Sequence, residues 1–235
     1  MPAASGGTKS RHRATTRGVG SLGSILALGF LLGLRHATDA DHVVAVGAIA
    51  SRERSVRAAL LIGATWGFGH ALTVLLVGSA IVLLGVVIPP RVGLGMEFSV
   101  ALMLIGLGAL NLGGVSARAA ELPREPSRPR AALLRSLGVG VVHGLAGSAA
   151  VALLVLATTA DSWVALPYLG LFGLGTIVGM TALTSLLALP AAWAAERSAW
   201  LRRTVVRAAG LLSVVVGLTL AYRVGIVEGL FLAAR

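Results

Sequence analysis

The chain has 235 residues, of which 56% are hydrophobic and only 12% are charged, and this balance excludes an ordinary soluble globular domain. The formal net charge of +11 would suggest a nucleic-acid partner in a soluble protein, but here the arginines gather in short segments between apolar runs. Cytoplasmic loops of membrane proteins have that pattern, so nucleic acid is excluded as a partner. The absence of cysteine excludes a disulfide framework and thiolate metal ligands.

A polar and basic tail comes first in the chain, over residues 1–18, and we expect it to be disordered. Six apolar segments follow, and each is long enough to cross about 30 Å of hydrocarbon. The first two exceed one crossing, so they must tilt, kink or break. The sequence predicts an all-α integral protein that passes several times through the lipid bilayer of the inner (plasma) membrane. The spans are predicted at residues 20–50, 58–88, 95–114, 134–158, 163–189 and 204–224.

Connections rich in arginine alternate with connections that carry few charges. The arginine-rich connections are residues 51–57, 115–135 and 191–207. By the positive-inside rule they are cytoplasmic, which places both chain termini outside, although the basic tail argues against export of the N-terminus. The Arg- and Pro-rich linker at 115–133 divides the chain into a first half, 19–114, and a second half, 134–235.

The two halves resemble each other. Setting His36 on His143 aligns the first span with the fourth, and Gly69-His70 then has a loose counterpart in Gly179-Met180. A three-span unit that is repeated once must occur in opposite orientations. We therefore predict a 3+3 inverted repeat, a plan in which binding sites lie near the membrane midplane where the repeats meet.

Small residues at four-residue spacing lie beside the histidines of both halves. Such pairs let helix backbones approach closely, which would bring side chains from several helices to one point. The pairs are Gly29/Gly33, Gly63/Gly67, Gly140/Gly144 and Gly175/Gly179.

The stretch from Arg35 to His42 places five ionisable side chains between two apolar runs. An ionisable group at that depth costs on the order of 3 kcal/mol, so the stretch predicts a functional site. On a continuous helix His36, Asp39 and His42 share a stripe about 120° wide. Asp41 falls off this stripe, so it would join through a broken turn or would orient an imidazole through its ring N–H. Arg35 is placed to pair with Asp39.

Two further histidines fall inside predicted spans, and together these residues indicate a metal or proton site. Imidazole and carboxylate ligands suit Ni, Co, Zn or Fe(II) better than Cu(I). Thr65 and Thr73 are alternative hydrogen-bond partners for His70 that need no metal. His143 lacks neighbouring carboxylates and is followed by Ser148, so both residues are predicted to be auxiliary, as is Arg35.

The sequence Arg35-His36-Ala37-Thr38-Asp39-Ala40-Asp41-His42-Val43 resembles the signature of the nickel/cobalt transporter family (NiCoT). Gly69-His70 resembles that family's Gly-His-Ser motif, with Ala71 in place of serine. The chain has fewer predicted spans than is usual in the family and is similar to short transporter-like proteins found near urease genes. The resemblance implies secondary transport of Ni²⁺ or Co²⁺ as substrate, with uptake expected, no cofactor and no enzyme activity. It implies that the metal is handled by His36, Asp39, Asp41, His42 and His70.

Two other functions are left open by the sequence. An integral-membrane metalloenzyme would also place His and Asp in helices, around one fixed metal that activates water. A non-transporting accessory or sensor protein would bind nickel without moving it. The sequence also leaves open nickel against cobalt, uptake against efflux, coupling to protons, assembly as a homo-oligomer and a cytoplasmic metallochaperone as partner.

Overall fold

The computed structural model describes residues 9–53, 55–113, 128–158 and 162–232, with side chains except at 9–21, 128–129, 148–158 and 162. All regular structure in these residues is helical. The α-helices are α1 Lys9–His36, α2 Ala40–Ala50, α3 Val56–Leu84, α4 Pro90–Leu112, α5 Arg128–Thr158, α6 Ser162–Arg197 and α7 Ala199–Tyr222. A π-helical segment, Arg223–Val227, continues the last of them.

Four stretches of helix in the described part of the chain are long and apolar enough to cross a membrane. They coincide with the predicted second, third, fifth and sixth spans, and α2 and the apolar part of α1 are shorter. The expectation of an all-α, multi-pass membrane protein is confirmed. The four stretches are Val56–Leu84, Pro90–Leu112, Trp163–Arg197 and Ala199–Val227.

The first predicted span is broken inside its charged motif. α1 ends at His36, and α2 begins at Ala40. Between them Asp39 has an extended backbone, with φ −62° and ψ 147°, and the Thr38 hydroxyl donates to the Arg35 carbonyl at 2.6 Å. Side chains that bond the nearby backbone compete with the helical hydrogen bonds. Of the two geometries open to the motif, the structure has the broken turn.

Two element boundaries differ from the expectation. α1 begins at Lys9, so the tail that we expected to be disordered over residues 1–18 is helical from that residue onward. No proline interrupts this stretch, and each residue added to an existing helix gains a hydrogen bond. α5 begins at Arg128, inside the expected linker at 115–133, of which residues 115–127 lie outside the described part.

Capping residues account for three further helix ends, and a proline favours a fourth. The hydroxyls of Ser55 and Ser198 accept from backbone N–H groups in the first turns of α3 and α7, at 3.1 and 3.0 Å. Gly85 ends α3 in the left-handed conformation at φ 63°, which glycine adopts without a steric penalty. Pro90 opens α4, where a missing backbone N–H costs nothing.

The helices of the two halves pack crosswise. α1 lies against α6, α3 lies against both α5 and α6, and α4 lies against α7. A Cβ atom at Gly33 would overlap the carbonyl oxygen of Phe172, and one at Gly69 would lie 2.6 Å from the carbonyl oxygen of Leu137. Glycines therefore allow the close backbone approach that the four-residue spacing predicts.

A partly buried arginine ties α2 to α4. The Arg52 guanidinium donates to the carbonyl of Leu107 at 3.1 Å and to the side chain of Asn111. The Asn111 amide in turn donates to a carbonyl in the last turn of α2 at 2.9 Å. Burial lowers the pKa of Arg52, and the nearby charge of Arg135 lowers it further. The connection after α2 and the start of α5 thus lie at one end of the molecule, called here the arginine-rich end.

Candidate metal centre

Four histidines and an aspartate meet where the first span breaks. His36 closes α1, Asp41 and His42 lie in the first turn of α2, and His70 and His143 lie in the middle of α3 and α5. Their ligand atoms form two groups, His36–His42–His70 and Asp41–His42–His143. Within each group these atoms all lie within 4.8 Å of one another. The fold therefore brings together residues from four helices.

His42 is the centre of this cluster. Its ring centroid lies 4.6 Å from that of His36, 5.2 Å from that of His70 and 4.1 Å from that of His143. The exposed fractions of His42, His70 and His143 are 2%, 0% and 2%. His42 is also the residue that the two ligand groups share.

Asp39 orients the imidazole of His36. The His36 Nδ1 atom lies 2.8 Å from Asp39 Oδ2, and the His36 Nε2 atom lies 3.2 Å from the Nε2 atom of His70. An ionised carboxylate only accepts hydrogen bonds, so it holds the proton on Nδ1 and leaves the Nε2 lone pair toward His70. Metal-binding histidines are commonly held in this way by a carboxylate on the other ring nitrogen.

Asp41 holds two imidazoles from different halves of the chain. Its Oδ1 atom accepts from the backbone N–H of His42 at 3.0 Å and lies 3.1 Å from His42 Nδ1. Its Oδ2 atom lies 2.9 Å from His143 Nε2. The broken turn lets Asp41 join the other residues, and its carboxylate also contacts ring nitrogens, so the two sequence-based alternatives for Asp41 occur together.

Three ring nitrogens in the cluster are buried and have no hydrogen-bond partner among the described residues. A buried polar atom left unpaired costs about 1–3 kcal/mol. A neutral imidazole nitrogen with a free lone pair is the commonest metal ligand, so a divalent cation bound here would offset that cost. The donor set fits a borderline metal such as Ni²⁺. The atoms are His42 Nε2, His70 Nδ1 and His143 Nδ1.

The threonines on the His70 helix do not satisfy its imidazole. The Thr73 hydroxyl donates to the carbonyl of Gly69 at 2.9 Å, and the Thr65 hydroxyl donates to the carbonyl of Leu61 at 2.7 Å. Both hydroxyls are bonded to their own helix backbone. Neither threonine therefore serves as the hydrogen-bond partner of His70.

The three residues that were predicted to be auxiliary, His143, Arg35 and Ser148, have different positions in the structure. His143 belongs to one of the two ligand groups. The Arg35 side chain is exposed, and Asp39 bonds His36 in place of the expected pair with Arg35. Ser148 lies in α5, but its side chain is outside the described part of the chain.

Three residues that motif spacing did not single out border the cluster. A Cβ atom at Gly147 would lie 3.7 Å from His36 Nε2. The Phe172 ring centroid lies 5.4 Å from that of His36, and the Trp66 ring centroid lies 6.0 Å from that of His143. The sequence carried no signal for Gly147 and Phe172, whereas the depth of Trp66 in its predicted span is too great for an interfacial anchor and indicated packing near His70.

Two comparisons with known proteins give matches for this chain. The model of a family described as NicO, high-affinity nickel-transport protein, matches residues 22–117. The urease accessory protein UreH of Bacillus sp. (strain TB-90) is 34% identical over 222 residues, which cover 88% of this chain and 95% of that protein. No solved structure matches the chain.

These matches confirm the resemblance to nickel transporters. The family model is described by nickel transport and the relative by a urease accessory role, so both point to nickel as the metal that the protein handles. The chain belongs to the family of high-affinity nickel-transport proteins.

Proposed function

We propose that the chain is a secondary transporter that takes up Ni²⁺ through the histidine cluster, across the plasma membrane and into the cytoplasm. The observation that carries the proposal is the convergence of three imidazoles, from α1, α2 and α3, at a break in a spanning helix. Ionisable groups at that depth are costly and mark ion pathways. Discontinuous helices form the ion sites of many secondary transporters.

In this proposal His36, His42 and His70 bind the metal, while Asp39 and Asp41 orient the imidazoles. The contacts of both carboxylates with ring nitrogens, at 2.8 to 3.1 Å, support the orienting role over direct ligation. Three ligands leave coordination positions open to water, so binding is reversible, as transport requires. His143, which lies beside His42 in the second group, offers the metal its next position.

Reciprocal contacts of the first helices support a 3+3 inverted repeat. A Cβ atom at Gly33 of α1 would overlap the carbonyl oxygen of Phe172 on α6. A Cβ atom at Gly140 of α5 would overlap the carbonyl oxygen of Trp66 on α3 in the same way. Gly33 and Gly140 are equivalent positions when His36 is aligned with His143. The same type of helix contact therefore occurs once for each half.

The converse contacts repeat as well. A Cβ atom at Gly69 of α3 would lie 2.6 Å from the carbonyl oxygen of Leu137 on α5. A Cβ atom at Gly175 of α6 would overlap the carbonyl oxygen of Phe30 on α1. Leu137 and Phe30 also share a place in the alignment of the two histidines. The second helix of each half therefore packs on the first helix of the other.

The third helices of the two halves, α4 and α7, also pack closely on each other through glycines. A Cβ atom at Gly108 would lie 2.5 Å from the carbonyl oxygen of Gly210, and one at Gly217 would lie 3.0 Å from that of Ala101. In this proposal α1 with α2, α3 and α4 form three spans of the first half, and α5, α6 and α7 form three of the second.

Uptake toward a cytoplasmic partner fits the comparisons and the charge pattern. A high-affinity system suits the capture of a scarce ion, and the positive-inside rule makes the arginine-rich end cytoplasmic. The relative is a urease accessory protein, which supports delivery of nickel for urease through a cytoplasmic metallochaperone. The same name supports a second candidate function, a nickel-binding accessory protein that moves no metal.

Uptake of radiolabelled nickel into cells and proteoliposomes tests the proposal. We expect accumulation by the unsubstituted chain and a loss of at least about tenfold in His36→Ala, His42→Ala and His70→Ala at equal membrane abundance. Thr65→Ala is the matched control on α3, because that hydroxyl bonds only its own helix in the described contacts. Competition by cobalt measures the preference between the two ions.

Two outcomes would contradict the proposal. Nickel binding without accumulation by the unsubstituted chain would favour the accessory function. Unchanged uptake in all three histidine variants would show that the metal passes elsewhere.

A further inference from the structure

Two large aromatic side chains enclose the histidine cluster from different helices. Trp66 of α3 lies beside His143, and Phe172 of α6 lies beside His36, with ring centroids 6.0 and 5.4 Å apart. The exposed fractions of Trp66 and Phe172 are 0% and 2%. Neither aromatic ring supplies a metal ligand, so the proposed transport site gives them no chemical role.

The two aromatic residues are counterparts in the proposed repeat. The carbonyl oxygen of Trp66 packs on Gly140, and that of Phe172 packs on Gly33. Each ring then lies against the histidine of the other half that follows this glycine by three residues. An inverted repeat puts such counterparts on opposite sides of the membrane midplane.

The direction of the helices places each ring at its own end of the cluster. α3 begins at the arginine-rich end, and Trp66 precedes His70 by one turn, about 6 Å at about 1.5 Å per residue. α6 begins at the opposite end, and Phe172 precedes Thr176, the counterpart of His70 in the proposed repeat, by one turn. Trp66 therefore lies on the arginine-rich side of the histidines, and Phe172 lies on the other side.

We propose that Trp66 and Phe172 are the two gates of the transport path, Trp66 toward the arginine-rich end and Phe172 toward the opposite end. The inference rests on the proposed function, because gates matter only if the metal enters and leaves. A buried apolar ring excludes water and a hydrated cation, which is how hydrophobic constrictions close a path. The Trp66 indole N–H has no hydrogen-bond partner among the described residues, so movement of the ring breaks no hydrogen bond there.

The natural absence of cysteine makes a thiol reporter the sharpest test. Gly147→Cys places the only thiol of the chain beside the histidines, because a Cβ atom there meets His36 and His70 at 3.7 to 3.9 Å without a clash. A charged, membrane-impermeant thiol reagent is applied to intact cells and to inside-out vesicles without metal. The rate of labelling from each side reports which end of the cluster is open.

In this background Trp66→Leu should raise labelling from inside-out vesicles by about tenfold, and Phe172→Leu should do so from intact cells. Leucine keeps an apolar side chain at both positions, and monodispersity in detergent verifies the fold. The matched controls are Phe68→Leu and Leu174→Ala, whose side chains are exposed on the same two helices. These controls should label like the reporter alone.

The proposal is overturned if both variants open the same side, or if neither exceeds the controls. Nickel uptake by the unsubstituted chain is measured in parallel, and it separates the two ideas. Normal uptake without one-sided labelling would contradict the gating role of Trp66 and Phe172 but not the transport function. One-sided labelling without uptake would contradict the transport function, while Trp66 and Phe172 would still be shown to close the two ends of the cluster.

Discussion

Carboxylates decide which nitrogen three of the four clustered histidines offer to a metal. Asp39 contacts Nδ1 of His36, and Asp41 contacts Nδ1 of His42 and Nε2 of His143. The three-residue spacing was sufficient to predict that His36 and Asp39 are neighbours, because residues three apart on a helix share a face. An orienting role was one of two alternatives for Asp41, but the ring atoms that each carboxylate faces could not be predicted, since they depend on how the helix breaks.

Removal of the Asp39 carboxylate tests the orienting role. Asp39→Ala should lower the affinity for nickel by about 10–100-fold, because His36 then loses the partner that holds its ring and tautomer. Asp39→Asn should lose less, since its amide oxygen still accepts from Nδ1. Calorimetric titration of the purified protein with nickel measures both, and Glu97→Ala is the control for loss of a carboxylate elsewhere. Equal affinity in Asp39→Ala and the unsubstituted chain would contradict the role.

Whole helices were easier to predict than the break between α1 and α2. Spans need long apolar runs, so their positions follow from composition, and the excess length of the first run predicted a tilt, kink or break. The stop at His36 could not be predicted, because it depends on the bonds of Thr38 to Arg35 and of Asp39 to His36. Sequence patterns predict neither bond.

Glycine contacts between helices give a prediction at this scale. Gly140→Ala should lower the free energy of unfolding by about 1–3 kcal/mol, because the added Cβ overlaps the carbonyl oxygen of Trp66. Gly138→Ala on the same helix meets nothing within 4 Å and should be neutral or stabilising, by up to about 1 kcal/mol. Unfolding in detergent, followed by circular dichroism, measures both. Equal stability of the two variants would mean that α3 and α5 do not pack this closely.

Across the whole molecule, the proposed repeat is only partly readable from sequence. The alignment of His36 on His143 agrees with the packing of α1 and α5. The contacts favour Gly175-Thr176 as the counterpart of Gly69-His70, rather than the expected Gly179-Met180. Apolar helices rich in glycine align in several registers, and only backbone contacts distinguish them. The proposed repeat would leave the site asymmetric, since Thr176 occupies the position that corresponds to His70 of the first half.

X-ray absorption at the nickel edge tests the central claim most directly, with one equivalent of Ni²⁺ bound to the purified protein. The account predicts outer-shell scattering from several imidazoles, with one imidazole fewer in His42→Ala and no change in Thr65→Ala. A shell of oxygen alone, without imidazole scattering, would contradict the claim that the histidines at the break bind the metal.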